Sequence, residues 1–254
     1  MTANLDITPL RAWEDNYIWC FPTDTNQVAV VDPGQAEPVE MYLQQHQLTL
    51  SHILITHHHG DHIEGVERLR RKHRARVLGA KADQARLPAL DEALEGGQQV
   101  TVGPHTAQIF ATPGHTSGHI CYLIGDALFA GDTLFSYGCG RLFEGSPEQM
   151  WQSLQQLRAL PDHTRLCCAH EYTLTNLRFG QSLPGHKTTL QPLVEDALQK
   201  QKVGTPTLPN RLAIEKQHNP FLRCDDADFR TMIGQQNATA EACFAHIRQL
   251  RNQF

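Results

Sequence analysis

The stretch Thr56-His57-His58-His59-Gly60-Asp61-His62 limits this chain more than any other, because five of its seven side chains can ligate a metal. It follows Ile53-Leu54-Ile55, an apolar run of the kind a buried strand carries. It precedes Ile63, Val66 and Leu69, which fall at helical spacing, so the cluster is a strand-to-helix loop. Asp61 and His62 then lie at or near the start of the helix, where the macrodipole favours an anionic carboxylate. Imidazole nitrogens mixed with carboxylate oxygen suit a borderline divalent ion such as zinc, iron or manganese. A solvated turn or an expression tag would also be rich in histidine. This cluster, however, is internal, is interrupted by Asp61, and has companions elsewhere.

The companions follow later apolar runs. Ile109-Phe110-Ala111 leads to His115, Ala127-Leu128-Phe129-Ala130 to Asp132, and Leu166-Cys167-Cys168-Ala169 to His170. Singly these residues could be a turn histidine, a strand terminator and a capping histidine. Ligand sites in open α/β sheets are assembled at strand ends, so their shared position points to one metal site.

Further strands are expected at 17–21, 28–31, 52–56, 76–79, 120–124 and 127–130, with a helix over 38–46 and helix plus loop over 81–97. Asp32-Pro33-Gly34 is a turn signal. Ser146, Pro147 and Gln149 form a capping-box start for a helix with a Met150, Leu154, Leu157 stripe, ended by Pro161. Strand signals stop after residue 170, and residues 174–254 read as helical, broken at 206–209 and 219–220. The chain thus divides into residues 1–172 and 173–254. In the last helix Cys243, Ile247, Leu250 and Phe254 form an apolar stripe, with Arg248 and Arg251 three apart on the adjacent face.

Composition excludes more than it selects. With 40% hydrophobic and 19% charged residues the chain is an ordinary globular protein, and a net charge of −5 gives no pull toward nucleic acid or membrane. No apolar run approaches a membrane span, and Met1–Asp6 lacks a signal-peptide pattern. The seven cysteines are scattered without CxxC spacing, and apolar neighbours surround Cys121, Cys167 and Cys168. That usage suits reduced thiols in a cytoplasmic protein.

His57-x-His59-x-Asp61-His62, followed by His115, Asp132 and His170, resembles the signature of the metallo-β-lactamase superfamily. The resemblance covers residues 1 to about 172. It implies an α/β fold, an αββα sandwich of two central sheets with helices on both outer faces, here followed by a C-terminal helical domain. It also implies two divalent metal ions per chain, zinc first, with iron or manganese also suited. One would take His57, His59 and His115, the other Asp61, His62 and His170, with Asp132 bridging. His58 occupies a variable position and is not expected as a ligand; His119, His46, His52 and His73 also fall outside the pattern and are expected at the surface or in packing.

Residues 131–135, 138–145, 170–176 and 218–223 resemble the glyoxalase II, or hydroxyacylglutathione hydrolase, family, and extend the match over essentially the whole chain. The resemblance implies a thioesterase of methylglyoxal detoxification, here expected to be a cytoplasmic monomer. It would hydrolyse S-D-lactoylglutathione and other S-2-hydroxyacylglutathiones to glutathione and the hydroxy acid. Asp132 and Asp61 would be its catalytic carboxylates. Arg141, Leu142, Phe143, Tyr172, Arg248 and Arg251 would bind the glutathione moiety, the arginines through its carboxylates. Some relatives carry Lys and Tyr where this chain has Arg141 and Phe143. Two metals can activate water near neutral pH, so no serine or cysteine nucleophile is needed, and no GxSxG elbow occurs.

Four rivals share or approach the pattern. A β-lactamase of this fold is usually secreted and needs no helical tail. A phosphodiesterase or RNA-processing nuclease would want a basic surface. A persulfide dioxygenase uses a single iron, and a silent binding protein would have lost ligands that this chain keeps.

Overall fold

Tyr17-Ile18-Trp19-Cys20-Phe21 is apolar at every position because the strand it forms is covered on both faces. Tyr17, Trp19 and Phe21 enter a core between two sheets, while Ile18 and Cys20 enter a second core under helices. The same alternation separates Ala29 and Val31 from Val28 and Val30, and Leu54 from Ile53 and Ile55. The structure, a computed structural model, describes residues 4–254. Met1 to Ala3, half of the stretch in which a leader pattern was sought, lie outside the described residues.

The first sheet runs in sequence order: β1 (Thr8–Ala12), β2 (Asn16–Asp24), β3 (Gln27–Val31), β4 (Thr49–Leu54), β5 (Arg76–Ala80) and β6 (Glu92–Leu94). Helices α1 (Ala36–His46), the single turn α2 (Gly60–Ile63) and α3 (Val66–His73) belong to its crossovers. Val39, Leu43, Val66 and Leu69 from α1 and α3 cover its outer face.

The second sheet comprises β7 (Gln99–Val102), β8 (His105–Ala111), β9 (Ile120–Ile124), β10 (Ala127–Gly131), β13 (Arg165–Cys168) and β14 (Asn210–Arg211), in spatial order 14-13-10-9-8-7. Between β10 and β13 come a short hairpin, β11 (Leu134–Phe135) and β12 (Gly138–Cys139), and helix α4 (Pro147–Arg158). The Ser146 hydroxyl accepts from Gln149 N and the Ser146 amide donates to Gln149 Oε1, the capping box expected from the sequence. Beyond β13 lie α5 (Thr173–Ser182), α6 (Lys187–Lys202), α7 (Leu212–His218), α8 (Ala227–Met232) and α9 (Ala240–Gln253). Helix α9 packs against α4, and both add side chains to the apolar cluster that includes the second sheet. The architecture is the expected αββα sandwich with a C-terminal helical region.

Several elements differ from the sequence reading. Residues 81–97 hold only a 3₁₀ turn, Lys81–Asp83, and then β6. Asp91 accepts the Val77 amide at 2.8 Å and returns its own amide to Val77 O, which starts parallel pairing beside β5. β1, β7 and the two-residue β14 were not anticipated. β14 pairs antiparallel with β13, so strands do not stop at residue 170. In α9 the buried face is Cys243, Phe244, Ile247 and Arg248, while Leu250 and Phe254 are 36% and 58% exposed. The stripe is turned toward Arg248 because its guanidinium stacks 5.3 Å from the Phe221 ring and donates to Cys139 O at 2.8 Å. No helix among the described residues is long and apolar enough to cross a membrane.

Candidate active site

Strand ends deliver the site. The loop after β4 carries His57 and His59 and the turn α2 that follows carries Asp61 and His62, the loop after β8 carries His115, β10 runs directly into Asp132, and β13 leads to His170. The structure brings all seven side chains together. His59 Nδ1 lies 3.1 Å from His57 Nε2 and 3.0 Å from His115 Nε2. Asp61 Oδ2 lies 3.5 Å from His62 Nε2 and 3.3 Å from His170 Nε2. Between the two groups stands Asp132. Its Oδ1 is 3.4 Å from His62 Nε2 and from His170 Nε2, and its Oδ2 is 3.4 Å from His115 Nε2.

Such spacing is hard to satisfy with protons alone. One proton cannot serve three imidazole nitrogens, and His62 Nε2 and Asp132 Oδ1 are buried without a hydrogen-bond partner. Donor atoms about 2.0–2.1 Å from a common tetrahedral centre stand about 3.3 Å apart, which matches the spacings seen here. Each group of three therefore fits a divalent cation, with Asp132 able to offer one oxygen to each.

An outer ring of acceptors turns the lone pairs inward. The Thr56 hydroxyl donates to Asp32 Oδ2 at 2.7 Å, so His57 Nδ1, 3.1 Å away, donates to it and leaves Nε2 free. His115 Nδ1 donates to Arg141 O at 2.8 Å, and His170 Nδ1 faces Asp15 Oδ1 at 2.8 Å. His62 Nδ1 lies 3.0 Å from Asp32 Oδ2. Asn16 Nδ2 donates to Asp61 Oδ2 at 3.0 Å. Burial, then the neighbouring imidazoles, hold His57 well below the usual histidine range, and burial also lowers His115. Burial opposes a charge on His170 too, but Asp132, Asp15 and Asp61 outweigh it and push that group up to about 10. Burial likewise disfavours ionised Asp61, yet His170 and His62 hold its carboxyl below the usual range.

His119 departs from expectation. It is neither exposed nor an inert packing residue: its ring is buried, stacks on His57 at 4.9 Å, and accepts the Asp132 amide at 3.1 Å. His58 turns away from the cage to Asp83 Oδ2 at 3.0 Å. Sequence reasoning missed Asp15, Asn16, Asp32 and Thr56. Asp32 did carry a usable signal, since it too directly follows an apolar strand, but it reads equally well as part of a turn.

The residues expected to bind substrate lie on several sides of the ligand histidines and the β11–β12 hairpin. Phe143 is 61% exposed, with its ring 5.6 Å from His59 and 5.2 Å from His115, and the Arg141 guanidinium lies over it at 5.8 Å. Leu142 is half-buried and packs against the core. Tyr172 stacks parallel on His170 at 4.7 Å. Arg248 is buried against Cys139 O and Gly140 O, so part of its donor set is already used within the protein. Arg251 is half-buried, reaches only Asn176 Oδ1 at 3.4 Å, and lies over the Phe179 and Phe254 rings. Burial and the nearby Arg248 charge lower its pKa. Among the described residues neither arginine has a carboxylate partner, so two adjacent cations stand uncompensated.

Residues 17–170 match the family model described as Metallo-beta-lactamase superfamily, and residues 171–254 match Hydroxyacylglutathione hydrolase C-terminus. Fold and ligand set thus define a metallo-β-lactamase superfamily protein. The chain is 46% identical over 261 residues to the hydroxyacylglutathione hydrolase of Pseudomonas paraeruginosa, covering 98% of this chain and 100% of that one. It is 45% identical over 260 residues to that of Shewanella halifaxensis, with the same coverage. Among solved structures, ETHE1 from Myxococcus xanthus superposes with a TM-score of 0.64 at 28% identity, over 97% of this chain and 98% of that one. Within the superfamily, this chain belongs to the hydroxyacylglutathione hydrolase family.

Proposed function

We propose that the protein is a thioesterase that hydrolyses S-D-lactoylglutathione and related S-2-hydroxyacylglutathiones to glutathione and the free hydroxy acid, in methylglyoxal detoxification. The observation that carries this reading is the seven-ligand cage beside a pair of uncompensated arginines. Its relatives in the family bear the name of this activity. His57, His59 and His115 would hold one divalent ion and Asp61, His62 and His170 the other, with Asp132 between them. Zinc fits the His/Asp donor set first, and iron or manganese also suit it. When bound, such ions polarise a carbonyl and make water acidic enough to attack at neutral pH.

The protein's own part is orientation. Asp132 stands between the two ligand groups and Asp61 belongs to the second, and from these places their oxygens would orient the attacking water. Asp15, Asp32 and the Arg141 carbonyl keep the ligand imidazoles turned inward. Arg251, Arg248 and Arg141 would engage the two glutathione carboxylates, while Phe143, Leu142 and Tyr172 line the way to the thioester. Arginine's forked donors suit carboxylates. Glutathione thiolate leaves readily, since a thiol pKa is about 8.5, so no general acid is required at sulfur. All seven ligands and the three arginines come from one chain, which supports a monomeric active unit. The seven buried, unpaired cysteines support a reducing, cytoplasmic setting.

Metal-replete protein given S-D-lactoylglutathione should release one thiol and one D-lactate per thioester lost. Inertness toward that thioester, with cleavage of a β-lactam or a phosphodiester instead, would replace this reading.

A further inference from the structure

The hairpin β11–β12 joins the two halves of the site. It begins two residues after Asp132 and ends two residues before Arg141. Its ends lie so close that a Cβ on Gly140 would stand 1.8 Å from Asp132 O, and the Gly140 amide donates to Thr133 O at 3.2 Å. Next to its turn the Phe135 ring, paired with Gly138, rests 5.9 Å from His170 and 5.2 Å from Tyr172. Cys139 O receives Arg248, and just beyond the hairpin Arg141 O receives His115 Nδ1. Candidate ligands and candidate substrate residues therefore hang on one short ribbon.

The tip of that ribbon is not a relaxed turn. Tyr137 has φ +57°, a left-handed conformation that bulky residues avoid unless their surroundings hold them there. The holding group is Glu215 on α7, which is fully buried. Its Oε1 accepts from Ser136 Oγ at 2.8 Å and Asn210 Nδ2 at 2.6 Å, and its Oε2 from Tyr137 N at 2.7 Å and Asn219 Nδ2 at 3.0 Å. Asn219 also donates to Phe135 O and Gly138 O, and Asn176 to Ser136 O. The His218-Asn219-Pro220-Phe221 segment, whose place in the site was not evident from its sequence, is thereby tied to the hairpin.

Among the described residues Glu215 has no ion-pair partner. A buried carboxylate neutralised by no cation is unfavourable unless its hydrogen bonds compensate, and packing alone would be met better by an apolar side chain. Its four donors come from the hairpin tip or from the asparagines on either side of it.

We propose that Glu215 is a positioning residue for the hydrolysis: from the C-terminal helical region its carboxylate sets the β11–β12 turn. Through that turn it holds Asp132 and the Arg141–Arg248 path in register. This rests on the thioesterase reading above. Glu215→Gln keeps the size but gives one acceptor oxygen and presents an amide NH2 to two donors. It should raise KM for S-D-lactoylglutathione at least fivefold and speed the loss of bound metal to a chelator at least fivefold, while still melting cooperatively. Asp126→Asn is the control, because Asp126 is buried at the other end of β10, bound to Arg165 and the Leu5 amide. It should lower the Tm while leaving KM and the chelator rate at wild-type values. If Glu215→Gln does not fold, Ser136→Ala, which removes one donor and keeps the charge, should shift both readouts two- to threefold. Folded variants at Glu215 or Ser136 that leave both readouts at wild-type values, or move them no more than Asp126→Asn does, would overturn the proposal. A wild-type protein inert on the thioester would end the functional reading instead, and the chelator rate would still report on Glu215.

Discussion

Arg251→Ala is the cleanest probe of the proposed glutathione contact. Arg251 makes only long contacts, 3.4 Å, to Asn176 Oδ1, and its other neighbours are the Phe179 and Phe254 rings. Truncation leaves Oδ1 of the buried Asn176 without its arginine donors, but both bonds are long, and losing the ring contacts costs about 1 kcal/mol of stability. A charge-assisted hydrogen bond to a substrate carboxylate is worth about 1.5–3 kcal/mol. At about 1.4 kcal/mol per decade, KM for a glutathione thioester should rise roughly ten- to a hundredfold. The contact lies away from the scissile carbonyl and holds ground and transition states alike, so kcat should stay within about twofold. Added salt should weaken binding by wild type more than by the variant. Arg248→Ala is a poorer probe, because it strands the buried Cys139 carbonyl at a further cost of about 1–3 kcal/mol. The assay compares S-D-lactoylglutathione with a small uncharged thioester on wild type and Arg251→Ala. Equal slowing of both substrates would show that Arg251 supports the fold and would refute the carboxylate assignment.

Three further outcomes follow from the geometry. Asp132→Ala removes the oxygens facing His62, His170 and His115, so bound metal and turnover should fall together, read by metal analysis beside thioester loss. His119→Ala leaves the Asp132 amide without its acceptor, which should cost about 1–3 kcal/mol in denaturant unfolding and speed metal loss to a chelator. Burial pushes Glu215 up to about 6 from 4.5 despite its four donors. The folded state therefore keeps a proton that the unfolded chain releases between pH 4.5 and 6, and stability from this group falls by about 2 kcal/mol as pH rises through that window. The destabilisation of Glu215→Gln relative to wild type should thus be larger at pH 4.5 than at pH 7, and a difference independent of pH would contradict the raised pKa.

The candidate ligands were legible because two signals coincide at each of them: side chains that bind metal, and a place just after an apolar strand. Strands buried on both faces, such as Tyr17–Phe21, announce themselves as unbroken apolar runs. β7 and β1 do not, since polar residues alternate along β7 and Thr8, Pro9 and Arg11 interrupt β1, and β14 pairs only with the edge of β13. The face of α9 was misjudged because hydrophobic patterning treats Arg248 as polar, whereas Phe221 and the Cys139 carbonyl give it a buried place. The outer ring is the least legible part. Nothing in the local sequence links Asp15 to His170 or His119 to the Asp132 amide, because those pairings exist only once the two sheets have closed on each other.

Stepwise zinc titration of metal-free protein, with bound metal and S-D-lactoylglutathione hydrolysis followed on the same samples, tests the central claim most directly. Activity should be absent without metal, should rise as zinc fills the two ligand groups to about two equivalents per chain, and should vanish again on chelation. Full turnover in the metal-free protein, or two bound equivalents without hydrolysis of the glutathione thioester, would contradict it.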